Sequence, residues 1–96
     1  MKKITCMYDL NDWILHPTKE KPNVMEWFLN WFFEQLIMKD RVERAKKALG
    51  TIIIFTIKCE KVSQVEATDI VMQTLKKFAL VKNPEWARKL HEQLGI

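Results

Sequence analysis

The sequence predicts a mainly α-helical fold: a compact bundle of four to five short helices around a central aromatic-rich helix at residues 24–38. Apolar residues recur three and four positions apart in several stretches, which is the period of an amphipathic helix. Residues typical of helix N-termini precede these stretches. The chain of 96 residues has two glycines and three prolines, too few for long irregular segments, so we expect one small domain over residues 1–96.

The segment before the aromatic helix is predicted to be mixed in structure. Residues 3–8 alternate loosely between apolar and polar side chains, which favours a short strand, with a disordered start as the alternative. Residues 13–15 are expected to follow as a single helical turn. Pro17 and Pro22 enclose a polar stretch, and proline restricts both its own backbone and that of the preceding residue. We therefore expect a surface loop between the two prolines.

Two neighbouring helices are predicted next. Asn23 is a good N-cap for the aromatic helix. Asp40, with Glu43 three residues later, resembles a capping box, so a second helix is expected over residues 41–49. Gly50 would end this helix, because glycine readily adopts the left-handed backbone conformation that often follows a helix.

Residues 51–57 allow two structures. They are rich in β-branched side chains, and the segment is too short for its apolar period to decide between strand and helix. As a strand, they would pair with residues 3–8 in a small two-stranded sheet. As a helix, they would continue the three- and four-residue apolar spacing of residues 41–49 through Gly50.

The last third of the chain predicts a helical hairpin. Ser63 and Glu66 have the spacing of a capping box and open a helix to about residue 81. Asn83 followed by Pro84 places an N-cap and a first-turn proline in order, so a final helix is expected there. Gly95 is the expected end of that helix.

Residue types that carry catalysis or bind metals are sparse. The chain has two histidines, His16 and His91, and two cysteines, Cys6 and Cys59, without the spacing of a metal site or a redox motif. We therefore predict a non-enzymatic protein with no metal and no cofactor, and we expect both cysteines to be buried thiols. The first residues lack the apolar run of a signal peptide, and no stretch is long enough to span a bilayer, so a cytoplasmic location without membrane contact is expected.

The aromatic helix has more apolar surface than a surface helix requires. Its polar positions Glu26, Asn30 and Glu34 form one narrow stripe, and the apolar arc spans roughly twice the ~100° that faces a core. Either the domain covers this arc as its core, or part of the arc contacts a protein partner or a second copy. Gln35 lies inside the arc, where a buried amide can fix the register of self-association. The candidate interface residues are Trp27, Phe28, Trp31, Phe32 and Gln35.

Two function classes remain. The first is an intracellular protein–protein interaction module, a small regulator or inhibitor that covers a surface on a larger macromolecule, with homodimerisation as one form. The second is a nucleic-acid-binding accessory protein, because the net charge is +4 and cations outnumber acids over residues 39–47. Its candidate phosphate contacts are Lys39, Arg41, Arg44, Lys46 and Lys47, with Lys58, Lys61, Lys76 and Lys77 as further candidates.

Overall fold

A computed structural model describes residues 3–96, and Met1 and Lys2 of the predicted domain lie outside the described residues. Residues 3–96 form five α-helices and one π-helical turn, which confirms the mainly α-helical class and the expected number of helices. In chain order these are α1 (Met7–Leu15), α2 (Met25–Phe33), the π-helical turn (Glu34–Met38), α3 (Val42–Glu60), α4 (Gln64–Lys82) and α5 (Pro84–Leu94).

The predicted two-stranded sheet is wrong. Residues 51–57 belong to α3, residues 7 and 8 begin α1, and the part of the chain that the structure describes has no strand. The buried positions of α3 follow a helical period, including Ile52, Phe55 and Cys59. A helix buries this stripe against neighbouring helices, whereas an isolated two-stranded ribbon is marginal. The helical alternative for residues 51–57 is therefore the one that forms, and the single turn predicted at residues 13–15 is the end of α1.

Gly50 does not end the helix as predicted, because α3 passes straight through it. Glycine is a poor helix former, but one glycine costs only about 1 kcal/mol relative to alanine. The buried apolar stripe on both sides of Gly50 offsets that cost. Gly50 itself is exposed, and beyond its chain neighbours and the surrounding helix backbone, a Cβ atom added there would meet nothing within 4 Å.

We expect Gly50→Ala to raise the free energy of unfolding by about 0.5–1 kcal/mol, because alanine is the better helix former and its methyl group finds open space. Urea denaturation followed by circular dichroism measures the change. Gly95→Ala is the matched control: its surroundings are equally open, but its φ of 71° lies in the left-handed region, so this substitution should destabilise. A loss of stability in Gly50→Ala would contradict a continuous α3.

The aromatic stretch at 24–38 is helical, but it is not one regular helix. The α-helical part begins with Val24 as its N-cap, not Asn23, and ends at Phe33, where the π-helical turn begins. A π-helical turn bonds each N–H to the carbonyl five residues earlier, so the side chains rotate by fewer degrees per residue than in an α-helix. A helical wheel drawn with the constant angle of an α-helix therefore gives the wrong directions for the side chains that follow Phe33.

The predicted capping box at Asp40 is also wrong. The backbone N–H of Lys39 donates to the carbonyl of Glu34 at 2.9 Å, and the N–H of Arg41 donates to the carbonyl of Gln35 at 2.7 Å. These bonds extend the end of the aromatic stretch beyond Met38. Asp40 then adopts a φ of 51°, and the N-cap of α3 falls at Arg41. Because Lys39 and Arg41 on either side of Asp40 bond back to the aromatic stretch, Asp40 does not become the N-cap of α3.

The caps predicted in the last third of the chain are confirmed. The Oγ atom of Ser63 accepts the backbone N–H three residues later at 3.2 Å, at the start of α4. The Oδ1 atom of Asn83 accepts the N–H of Glu85 at 3.0 Å, and Pro84 is the first residue of α5. Gly95 follows α5 with a φ of 71°, the left-handed conformation expected after a helix.

The helices pack mainly around α3. This helix contacts α1, α2, the π-helical turn and α4, and α5 packs on α4. The central position predicted for the aromatic helix is therefore not confirmed. Its rings nevertheless join several elements, because Phe33 stacks on Phe78 of α4 at 5.4 Å and on Trp86 of α5 at 5.3 Å between ring centroids. None of the helices in residues 3–96 is both long enough and apolar enough to cross a membrane.

Candidate functional site

The five predicted interface residues separate into an inner and an outer group. Phe28 and Phe32 are fully buried, and Gln35 is 3% exposed. Trp27 and Trp31 are only half-buried. The domain thus covers most of the wide apolar arc itself, and the two tryptophans are the members of the set that reach the surface.

Trp27 and Trp31 lie one helical turn apart in α2 and form one wall of an open groove of about 910 Å³. Phe28 lies beneath them, with ring centroids 6.1 Å from Trp27 and 6.4 Å from Trp31. Because Phe28 is fully buried, the two indoles rest on the hydrophobic core. The wall is therefore a firm aromatic surface rather than a pair of free side chains.

The opposite wall comes from two irregular segments, residues 3–5 and residues 22–23. Ile4 anchors the first segment, because its side chain is only 4% exposed. The backbone N–H and the hydroxyl of Thr5 both donate to the carboxylate of Asp9 at 3.4 Å, which ties this segment to the first turn of α1. Pro22 fixes the backbone of the second segment. The groove thus joins parts of the chain that are distant in sequence.

The polar rim of the groove is the stripe Glu26, Asn30 and Glu34, which is exposed as the helical period predicts. The side-chain amide of Asn30 donates to the backbone carbonyl of Glu26 at 2.9 Å. Glu34 forms an ion pair with Lys39 at 3.1 Å, with both side chains about half exposed. Such an exposed pair contributes little to stability. The rim is therefore a row of acceptor groups along one face of α2.

Two side-chain polar atoms of the aromatic stretch are buried and have no hydrogen-bond partner within residues 3–96: Nε1 of Trp27 and Oε1 of Gln35. Since the Trp27 nitrogen points inward, the exposed part of its ring is hydrocarbon. Trp31 is covered on one side by the guanidinium of Arg44, which lies 5.8 Å from the ring centroid. The floor of the groove is thus apolar and aromatic.

The predicted nucleic-acid contacts are partly engaged within the protein. Lys39 pairs with Glu34 and Arg44 lies over Trp31, as described above. Lys46 pairs with Glu43 at 3.6 Å. Arg41 and Lys47 are exposed. The further candidates lie apart from one another: Lys58 is in α3, Lys61 follows it, and Lys76 and Lys77 are in α4. The Nζ atom of Lys58 donates to the carbonyl of Ile14 at 3.0 Å.

The two histidines and two cysteines differ in exposure and in their contacts. His16 is exposed, and Nδ1 of His91 lies 3.3 Å from the carbonyl oxygen of Ile96. Among the described residues, no group of three or more histidine, cysteine, aspartate or glutamate side chains could hold a metal ion. Both cysteines are free thiols, and Cys6 is exposed, so the prediction of a buried thiol is wrong there.

Cys59 lies at the buried side of α3. Burial raises the pKa of its thiol above the ordinary value of 9.0, the neighbouring carboxylate of Glu60 raises it further, and Lys21 lowers it. The thiol is therefore protonated at neutral pH, and a thiol is a much weaker nucleophile than a thiolate.

Comparisons of the chain with known protein families, curated proteins and solved structures find no match. The candidate site is therefore identified from its geometry. The sequence contained a signal for the wall on α2, namely the polar stripe at four-residue spacing beside two tryptophans. It contained none for residues 3–5, because their place opposite α2 depends on the burial of Ile4.

Proposed function

We propose that this protein is a non-enzymatic, cytoplasmic protein–protein interaction module that covers a surface on a larger macromolecule, as a small regulator or inhibitor does. The groove formed by Trp27 and Trp31 is the proposed contact surface. The observation that supports this most strongly is that these two tryptophans remain partly exposed in a helix whose phenylalanines are fully buried. The two free thiols agree with a reducing compartment.

The groove resembles the contact surfaces of protein complexes in its composition. Such surfaces have an apolar centre enriched in aromatic residues and a polar rim. Tryptophan is among the residues whose truncation most weakens binding. Here Trp27 and Trp31 supply the centre, and Glu26, Asn30 and Glu34 supply the rim. The rigid support from Phe28 also reduces the entropy lost when a partner binds.

A separate partner fits this groove better than a second copy does. A two-fold contact between two copies of the α2 stripe would bring Glu26 and Glu34 of one copy close to the same carboxylates of the other. Like charges that face each other destabilise a contact. Gln35, which could have fixed the register of a dimer, lies in the core. Light scattering of the purified protein should therefore give the mass of a monomer.

We expect the double substitution Glu26→Lys with Asn30→Lys to reduce capture of the partner by about tenfold or more, a loss of about 1.4 kcal/mol. The two lysines reverse the charge of the rim and extend across the mouth of the groove, while both positions are exposed and the fold should persist. The measurement is a quantitative pull-down from the native host, with the wild-type protein as reference and circular dichroism as a check on folding.

The matched control is Asp69→Lys with Gln73→Lys, because these residues are also an acid and an amide, exposed and four residues apart, but lie on α4 away from the groove. Capture should be retained in this control. Equal losses in both variants, or none in either, would contradict the groove as the contact surface. Binding of the wild-type protein to duplex DNA at roughly 50 mM salt, with a steep fall as salt rises, would instead favour the nucleic-acid alternative through residues 39–47.

A further inference from the structure

We propose that the groove binds an arginine side chain of the protein partner, with its guanidinium stacked on an indole of α2 and hydrogen-bonded to the acceptors of the rim. The inference rests on the proposed function and adds the chemistry of the partner to it. Three features of the groove support it: the hydrogen-bonding capacity of the rim, the indole surfaces and the charge of the lining.

The rim offers acceptors rather than donors. Glu26 and Glu34 present carboxylates, and the amide group of Asn30 already donates to the Glu26 carbonyl at 2.9 Å, which leaves Oδ1 of Asn30 as an acceptor. Successive members of this row are one turn apart, about 6 Å along the helix. A guanidinium has five N–H donors and no acceptor, so it is complementary to such a row.

The indole surfaces offer a place for a planar cation. The guanidinium of Arg44 already lies 5.8 Å from the ring centroid of Trp31, so the protein itself contains the proposed type of contact on one of these two indoles. Tryptophan is the aromatic side chain that attracts a cation most strongly. Arginine suits this site better than lysine, because a planar guanidinium stacks on a ring and donates from its edges at the same time.

The charge of the lining favours a cation over an anion. Among the described residues, the charged side chains that line the groove are two carboxylates, Glu26 and Glu34, and one ammonium, Lys3, although the whole chain has a net charge of +4. Lys39 and Arg44 lie outside the lining, where they contact Glu34 and Trp31. Glu34 is already paired with Lys39, so Glu26 is the carboxylate of the lining that would attract an arginine of the partner and repel a partner carboxylate.

The test is a titration of the intact, ¹⁵N-labelled protein with four small probes, followed by the indole N–H signals in NMR spectra. The probes are the N-acetyl amides of arginine, lysine, leucine and glutamate. The arginine derivative should move the signals of Trp27 and Trp31 and bind about threefold more tightly than the lysine derivative. The signal of the buried Trp13 should stay in place.

Glu26→Gln should weaken binding of the arginine probe about threefold, and Asp69→Asn on α4 should leave it unchanged. If the leucine derivative alone moves the two signals, or if the glutamate derivative binds as well as the arginine one, the arginine preference is wrong while the groove remains a binding surface. If none of the probes moves them, the inference is wrong, and the pull-down with the rim variants then decides the proposed function separately.

Discussion

Phe33→Ala should lower the free energy of unfolding by about 3–5 kcal/mol, which is a large part of the ~5–15 kcal/mol that a domain of this kind has. Phe33 is fully buried, and its ring stacks on Phe78 with an interplanar angle of 24° and on Trp86 with an angle of 13°. These contacts connect α2 to both α4 and α5. Truncation removes both of these stacked contacts and an edge contact with Phe32, and it leaves a cavity where three helices meet.

Urea denaturation followed by tryptophan fluorescence measures this effect, since Trp86 is one of the partners of the lost ring. Phe33→Leu is the matched control, because it keeps most of the volume and loses only the ring stacking. We expect that control to cost about 1.5 kcal/mol or less. If Phe33→Ala unfolds at the same urea concentration as the wild-type protein, the docking of the C-terminal hairpin on α2 does not hold in solution.

The local features of the C-terminal half could be predicted from sequence because each depends on atoms close together in the chain. The Ser63 cap spans three residues, the Asn83 cap spans two, and the left-handed conformation of Gly95 depends on the absence of its own side chain. Tertiary contacts do not need to be known for any of these. The same reasoning failed at Asp40, where a wide π-helical turn used the backbone of the expected cap.

Residues 51–57 show why local preference alone could not settle the rest of the fold. Their β-branched side chains suit a strand, and Gly50 before them suits a helix end. The helix forms because its buried stripe is covered by neighbours, for example by Trp13 of α1, whose ring lies 5.1 Å from that of Phe55. The hydroxyl of Thr56 also finds an acceptor within the helix, the carbonyl of Ile52 at 2.8 Å. The coverage by α1 cannot be read from residues 50–57 themselves.

The candidate site could be predicted only on one side. The period of the aromatic helix showed that Glu26, Asn30 and Glu34 share one exposed face, and Trp27 and Trp31 were among the candidate interface residues of the apolar arc. It could not show that Phe28 and Phe32 are fully covered, because this depends on which helices pack there. The domain itself buries the inner part of the wide apolar arc, whereas Trp27 and Trp31 at its outer part line the groove.

The aromatic helix itself provides the sharpest distinction between core and contact surface. Phe28→Ala should lower the free energy of unfolding by about 3–5 kcal/mol, because the side chain is fully buried and stacks on Phe32 at 5.8 Å. Trp31→Ala should cost about 2 kcal/mol or less, since part of its ring is already in water and its contact with Arg44 is a single cation–π pair.

The order of these two losses is the informative result, because tryptophan is the larger side chain and would cost more if both were equally buried. Urea denaturation of the two variants gives the comparison, and Trp31→Phe is the control that keeps an aromatic ring at the groove. In partner capture the effects should reverse: Trp31→Ala should lose binding by about 2 kcal/mol or more while it remains folded. If Trp31→Ala destabilises the domain as much as Phe28→Ala does, Trp31 is core, and the groove is not available to a partner.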